Sequence, residues 1–267
     1  MEPSNQLINL RIETRAAGNV AWVMIDNAEH RNRLGKQGKQ DLIDAFRSLA
    51  KDGDLRVAVL TGAGERSFIA GSDIKEMRDQ DGEGQRDVST KTHYACDAIR
   101  RLPVPVIARI NGYCFGSGME LAASCDMRVA VDSAKFGMPE VKFGIPSGME
   151  ACLLPLLMGW GKARELVLTG EHIDAHEAYR TGFLQSLVTT HEELDGAVEK
   201  WVAAICEAGP RAVRIQKELC RDWERLSIAE SVQVGIQAMV RSRETDEPKR
   251  LMQAFVDRNA GKGKRQQ

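Results

Sequence analysis

A chain of 267 residues, 43% of them hydrophobic and 28% charged, has ample surface to bury one large core, or a core with an appendage. Its 37 Lys and Arg nearly cancel its 38 Asp and Glu, so charge gives no argument for nucleic acid or an anionic membrane as partner. Cys96, Cys114, Cys125, Cys152, Cys206 and Cys220 are scattered singly without a C-x-x-C pair, which reads as reduced core cysteines. The opening MEPSNQLINL has no basic region or apolar run, and no window has the length of a membrane span; a cytoplasmic protein is the expectation.

In chain order, NVAWVMID (19–26) alternates as a strand, residues 36–53 have helical spacing, and RVAVLTG (56–62) is strand-like again. The pattern returns as VPVIARING (104–112), a helix around 119–125 and DMRVAVD (126–132). Strands alternating with helices define an α/β core. The polar, glycine-containing stretch 78–93 breaks the rhythm and reads as a mobile loop or irregular helix. From about residue 160 the chain turns to nearly continuous helix, with segments at 161–169, 174–181, 192–207, 210–223, 227–243 and 247–258, Asp174 capping the second. The terminal GKGKRQQ is expected to fray. Such a helical section, lacking a large core of its own, is expected to pack on a neighbour in an oligomer.

Several familiar patterns fall away. GAGERS (62–67) nearly matches a dinucleotide fingerprint, but the sixth residue is Ser67 and a strand-like run follows where a helix is needed, leaving a strand-end turn. Ser72, Ser117 and Ser147 lie in no G-x-S-x-G elbow. His172 and His176 are four apart, yet Asp174 between them reads as a helix cap, so they read as solvated histidines and no metal is expected.

Three stretches resist explanation by packing: RSFIAGSDIKEM (66–77), NGYCFGSGMEL (111–121) and FGMPEVKFGIP (136–146). Taken singly, they read as turns, caps and an incidental glutamate. Together they supply two backbone N–H groups, those of Ser72 after Gly71 and of Ser117 between Gly116 and Gly118, free to hold a developing oxyanion. They also supply Glu120 and Glu140, twenty residues apart. A carboxyl in apolar surroundings has its pKa raised toward the working pH and exchanges protons efficiently. Two such groups beside an oxyanion hole suit adding or removing water across a polarised double bond. A salt bridge or a cap after Pro139 is the competing reading of Glu140.

These motifs, with GKARELVLTGEHIDAHEAYRTGFLQSLV (161–188), resemble the enoyl-CoA hydratase/isomerase (crotonase) superfamily over about residues 8–258. The resemblance implies a spiral of ββα turns over residues 1–190, then a helical trimerisation region over 191–267 packing on the core and on neighbouring subunits, in a trimer or a hexamer. It implies a coenzyme A thioester as substrate, with no cofactor besides the coenzyme A that the substrate carries. On matching positions, Ser72 and Ser117 donate the oxyanion N–H groups, Glu120 orients and activates water, and Glu140 delivers the proton to the α-carbon. The substrate-binding segment is Ala70, Gly71, Asp73, Ile74 and Lys75 with Gly116; the Ala70 carbonyl meets the adenine, and Lys75 and Arg31 lie near the phosphates.

The chain also departs from the family pattern. DNAEHRNRL (26–34) replaces a proline-containing loop, DEPKRLMQAF (246–255) departs from an E-G-containing form, and PSGMEACLLP (146–155) replaces a glycine-rich run. The last brings in Glu150, read as solvent-facing or as a helix cap, with lining of the acyl pocket as the alternative. Because both glutamates are kept, hydration is favoured over isomerisation or thioester hydrolysis on the same scaffold. An RNA-binding relative of this fold is disfavoured, because KQDLIDAFRSLAKDG (39–53) mixes acids with bases and shows no comb of lysines.

Overall fold

A computed structural model of the chain describes residues 7–263; the first six residues and the end of GKGKRQQ, 264–267, lie outside the described residues. The first unit, Met1–Ala203, opens with a hairpin of β1 (Ile8–Arg15) and β2 (Gly18–Ile25), followed by α1 (Lys36–Leu49). Next come β3 (Leu55–Gly62), β4 (Ser67–Ile69), α2 (Ile74–Arg78) and α3 (Gly82–Arg101). Then follow β5 (Val106–Ile110), β6 (Tyr113–Phe115), α4 (Ser117–Ser124), β7 (Met127–Val131) and β8 (Lys135–Gly137). The unit closes with α5 (Leu154–Thr169), β9 (His172–Asp174), α6 (Ala175–Arg180), β10 (Ser186–Val188) and most of α7 (His191–Glu207).

Two sheets result, of order β1-β2-β3-β5-β7-β10 and β4-β6-β8-β9. Parallel pairing runs from β2 through β10 in the first sheet and from β4 through β8 in the second, with antiparallel strands at one edge of each. Three successive passes, opened by β3, β5 and β7, each lay one strand in the large sheet, one in the small sheet, then helix. This is the expected spiral of ββα turns. β3 is buried at every position, and its apolar centre Val57–Leu60 suits a strand covered on both faces. The core packs Val23, Leu60, Ala108 and Ala130 of the large sheet with Leu42, Phe46, Cys96 and Ile99 of the helices and Phe136 of the small sheet.

The stretch 78–93 corrects the sequence reading, because most of it belongs to the regular helix α3. The Asp81 side chain accepts the Gly84 N–H at 2.8 Å and caps it, so Gly82 and Gly84 fall in the first turn rather than in the helix interior. Val88, Thr92, Ala95, Cys96 and Ile99 recur at helical spacing and are buried. The run of helix after residue 160 is likewise interrupted, since β9 pairs with β8 and β10 with β7. Asp174 caps α6 as expected, its side chain accepting the Glu177 N–H. The cysteines divide: Cys96, Cys114 and Cys125 are buried, whereas Cys152 and Cys220 are exposed and Cys206 is intermediate. Among the described residues no helix is long and apolar enough to cross a membrane.

The second unit, Ala204–Gln267, contains α8 (Pro210–Trp223), α9 (Ile228–Ser242) and α10 (Glu247–Gly263). Ser227 and Glu230 form a reciprocal capping box at the start of α9. The Glu247 carboxylate takes the N–H groups of Arg211 and Ala212, closing the exposed amino end of α8. Arg241 pairs with Glu218, tying α9 to α8.

Candidate active site

Two turns at the ends of small-sheet strands create the site. After β4 the chain turns at Gly71, whose φ of +97° favours glycine. The Leu34 N–H donates to the Gly71 carbonyl and the Asp73 N–H to the Leu34 carbonyl, so the Ser72 N–H between them points to the opposite side. After β6 the chain turns at Gly116, with φ of +54°, and Ser117 begins α4. Its N–H is among those at a helix start with no acceptor one turn back. The turns touch: a Cβ built on Gly116 would lie 3.9 Å from the Gly71 Cα, and one on Gly71 would lie 3.3 Å from the Phe115 carbonyl oxygen.

Glu120 lies in the first turn of α4 and is 1% exposed. Its Oε1 accepts the Ala151 N–H at 3.2 Å. Burial, reinforced by the nearby carboxylates of Glu140 and Glu150, pushes its pKa up to about 8, against smaller lowering effects from the Ala151 N–H and the Lys39 ammonium. Glu140 stands in the short 3-10 turn Pro139–Phe143, where Pro139 starts the turn. Its Oε2 accepts the Ser147 hydroxyl at 2.8 Å, and its Oε1 lies 2.9 Å from where a Gly116 Cβ would be. Burial raises its pKa as well, opposed by its own N–H and by Ser147. At neutral pH Glu120 therefore retains its proton.

Glu150 departs from the sequence reading, for it neither faces solvent nor caps a helix. Met149 adopts a left-handed φ of 44°, and the following Glu150 is 7% exposed in the turn Met149–Leu153. Its Oε1 lies 2.7 Å from His93 Nδ1, while its buried Oε2 has no hydrogen-bond partner among the described residues. Glu150 thus forms a third carboxylate beside Glu120.

A buried lysine completes the cluster. Lys39 of α1 is 2% exposed, and its Nζ donates to Ser72 Oγ at 2.9 Å; Ser72 Oγ lies 3.1 Å from Ser117 Oγ. Burial lowers the Lys39 pKa to about 8, with Glu120, Glu76 and Cys96 opposing. Neither Lys39 nor His93 was singled out from the sequence. Lys39 carries a readable signal, because it shares a helical face with Leu42, Ile43, Phe46 and Leu49, where a charge has to find a partner.

Asp73 caps α2 by accepting the Lys75 N–H and pairs with Arg33 at 3.0 Å, while Ile74 and Lys75 are exposed. Arg31, itself left-handed at φ 56°, stacks its guanidinium over Tyr113, and its carbonyl accepts the Ala70 N–H. His172 is in β9 with its ring stacked on Phe115, and His176 is in α6; both are exposed. GAGERS is a strand-end turn, held by Asn111 Nδ2 donating to the carbonyls of Gly62 and Gly64.

A spiral of ββα turns carrying two glycine turns and buried glutamates defines a class, and the family model described as enoyl-CoA hydratase/isomerase matches residues 15–264. The chain belongs to that family. Among its relatives, the crotonyl-CoA hydratase of Syntrophomonas wolfei is 32% identical over 240 residues, 90% of this chain and 92% of the relative. The carnitinyl-CoA dehydratase of Proteus mirabilis is 34% identical over 223 residues, 83% of this chain and 84% of the relative. The 1.8 Å crystal structure of an enoyl-CoA hydratase from Bacillus anthracis superposes with a TM-score of 0.89 at 31% identity, covering 95% of this chain and 97% of that one.

Proposed function

We propose that the protein adds water to a trans-2-enoyl-CoA, giving a 3-hydroxyacyl-CoA, and runs the reverse dehydration. The observation that carries this reading is the pair Glu120 and Glu140, both shifted upward by burial beside the turns of Ser72 and Ser117. Hydration needs one ionised and one protonated carboxyl, and a coupled pair sharing a proton supplies both. A water bound at Glu120 donates to its ionised form and so favours moving the shared proton to Glu140. As the water oxygen bonds to the β-carbon, Glu120 takes its proton. The carbon–carbon π electrons shift toward the thioester oxygen, where the Ser72 and Ser117 N–H groups stabilise the enolate. Glu140 then delivers its proton to the α-carbon. The chemistry needs no cofactor beyond the substrate's own coenzyme A, whose adenine and phosphates we assign to Ala70, Lys75 and Arg31.

We assign the exposed apolar face of α9 to contacts with neighbouring subunits in a trimer or hexamer. Hydration is tested by the absorbance of the conjugated thioester when the protein meets crotonyl-CoA. Rapid loss is expected in the wild type, slowed by about 10²–10⁴-fold in Glu120→Gln and in Glu140→Gln. Hydration undiminished in Glu120→Gln would remove its role. No loss in a wild type that binds acyl-CoA would shift the assignment to isomerisation or hydrolysis.

A further inference from the structure

The chain Lys39–Ser72–Ser117 does more than fill space beneath the site. An ammonium has three protons and no lone pair, so Lys39 can only donate to Ser72 Oγ, at 2.9 Å. With that lone pair occupied, the Ser72 hydroxyl proton points onward to Ser117 Oγ, at 3.1 Å. Ser117 Oγ thereby becomes an acceptor, and its own proton must go elsewhere. Among the described residues Ser117 Oγ donates to no group, although the residue is only 5% exposed. With Lys39 donating to Ser72 and Ser72 donating to Ser117, one O–H is left unspent at the start of α4. That O–H belongs to one of the two residues whose N–H groups are assigned to the oxyanion.

We propose that Lys39 drives a charge-assisted hydrogen-bond chain through Ser72 to Ser117, whose hydroxyl acts as a third donor to the thioester oxygen. The inference rests on the reading of the site as one for coenzyme A thioesters. In it, Ser117 contributes side chain as well as main chain, and Lys39 and the Ser72 hydroxyl are positioning groups that act through it. Each link polarises the next, so the terminal O–H is a stronger donor than an isolated serine. The stretches around 72 and 117 do not announce this chain, because the lysine enters from α1.

The test uses butyryl-CoA, a saturated thioester that cannot be hydrated, labelled with ¹³C at the carbonyl and followed by isotope-edited difference infrared spectroscopy. In the bound wild-type complex the carbonyl stretch is expected to move to lower frequency. Ser117→Ala keeps both N–H donors, and part of the shift is expected to be lost. Ser72→Ala and Lys39→Met interrupt the chain upstream, and a comparable part should be lost in each. With crotonyl-CoA the same variants are expected to lose about tenfold in kcat with KM within about twofold, since the extra bond strengthens as charge develops. Should Lys39→Met fail to fold, the two serine variants decide.

A carbonyl stretch in Ser117→Ala and Ser72→Ala equal to that of the wild type would overturn the chain while leaving the hydratase reading intact. A shifted stretch that depends on Ser117, in a protein that does not hydrate crotonyl-CoA, would uphold the chain and overturn hydration. Failure of the wild type to bind butyryl-CoA would overturn both.

Discussion

Helices α4 and α9 are both apolar in sequence, yet all eight residues of α4 are buried, whereas in α9 only Ala238 is. In α9, Ile228, Val232, Ile236, Met239 and Val240 recur at helical spacing and are exposed, Ile228 by 87%. The difference lies in what surrounds each helix. α4 follows a strand and is wrapped by successive turns of the spiral, so its small residues can be enclosed completely. α9 belongs to a helical unit with no sheet to cover its stripe. Apolar periodicity therefore means core in one region and unpartnered surface in the other, and only the topology tells them apart.

The sharpest way to break the contrast is to place the same charge in both helices. Leu121→Asp puts an unpaired carboxylate into the buried helix and should cost about 3–5 kcal/mol, read as a large fall in the denaturation midpoint. Ile236→Asp in α9 should leave the far-ultraviolet circular dichroism intact and convert the sedimentation profile to that of a single subunit. An unchanged profile would remove α9 from the subunit interface.

The next effect is a gain. In the folded state Glu120 holds its proton up to about pH 8, while in the unfolded chain it ionises in the ordinary carboxylate range. Below that range both states are protonated and the group contributes nothing. As pH rises toward 8 the unfolded state releases its proton first, so wild-type stability falls, and the loss levels off above about 8. Glu120→Gln never ionises. It should exceed the wild type by on the order of 2 kcal/mol at pH 8, the advantage vanishing near pH 4. Urea titrations at both pH values check this, and a pH-independent difference would contradict it.

Smaller effects sharpen the comparison further. Ser227→Ala removes the capping box of α9 and should cost about 1 kcal/mol, read as faster amide exchange confined to that unit. Glu150→Gln removes a negative charge beside Glu120, so the Glu120 pKa should fall. The alkaline limb of kcat/KM with crotonyl-CoA should then move to lower pH, by about half a unit. A limb that stays in place would separate Glu150 from the proton balance of the site.

Much of this was legible in the residues, and the misses have physical causes. Alternating apolar runs gave the strands of the spiral, and the positions of Gly71, Gly116, Glu120 and Glu140 gave a candidate site because polar groups stood where packing had no use for them. The helix at 82–101 was hidden because its glycines sit next to the cap, where they do little harm, and local composition does not reveal that. Glu150 was misread because its burial depends on the left-handed turn at Met149, which no side-chain pattern announces. Lys39 lies 33 positions before Ser72, and that pairing is visible only once α1 is laid against the turn.

The contact between Gly116 and Glu140 has a consequence for how this scaffold can change. With Oε1 of Glu140 only 2.9 Å from where a side chain at 116 would begin, the turn that presents an N–H also serves as the floor on which the acid rests. A library that varies position 116 would therefore move the Glu140 carboxyl and the Ser117 N–H in one step. New chemistry on this backbone is more accessible from positions 147 and 150, where the acids can be retuned while the floor stays in place.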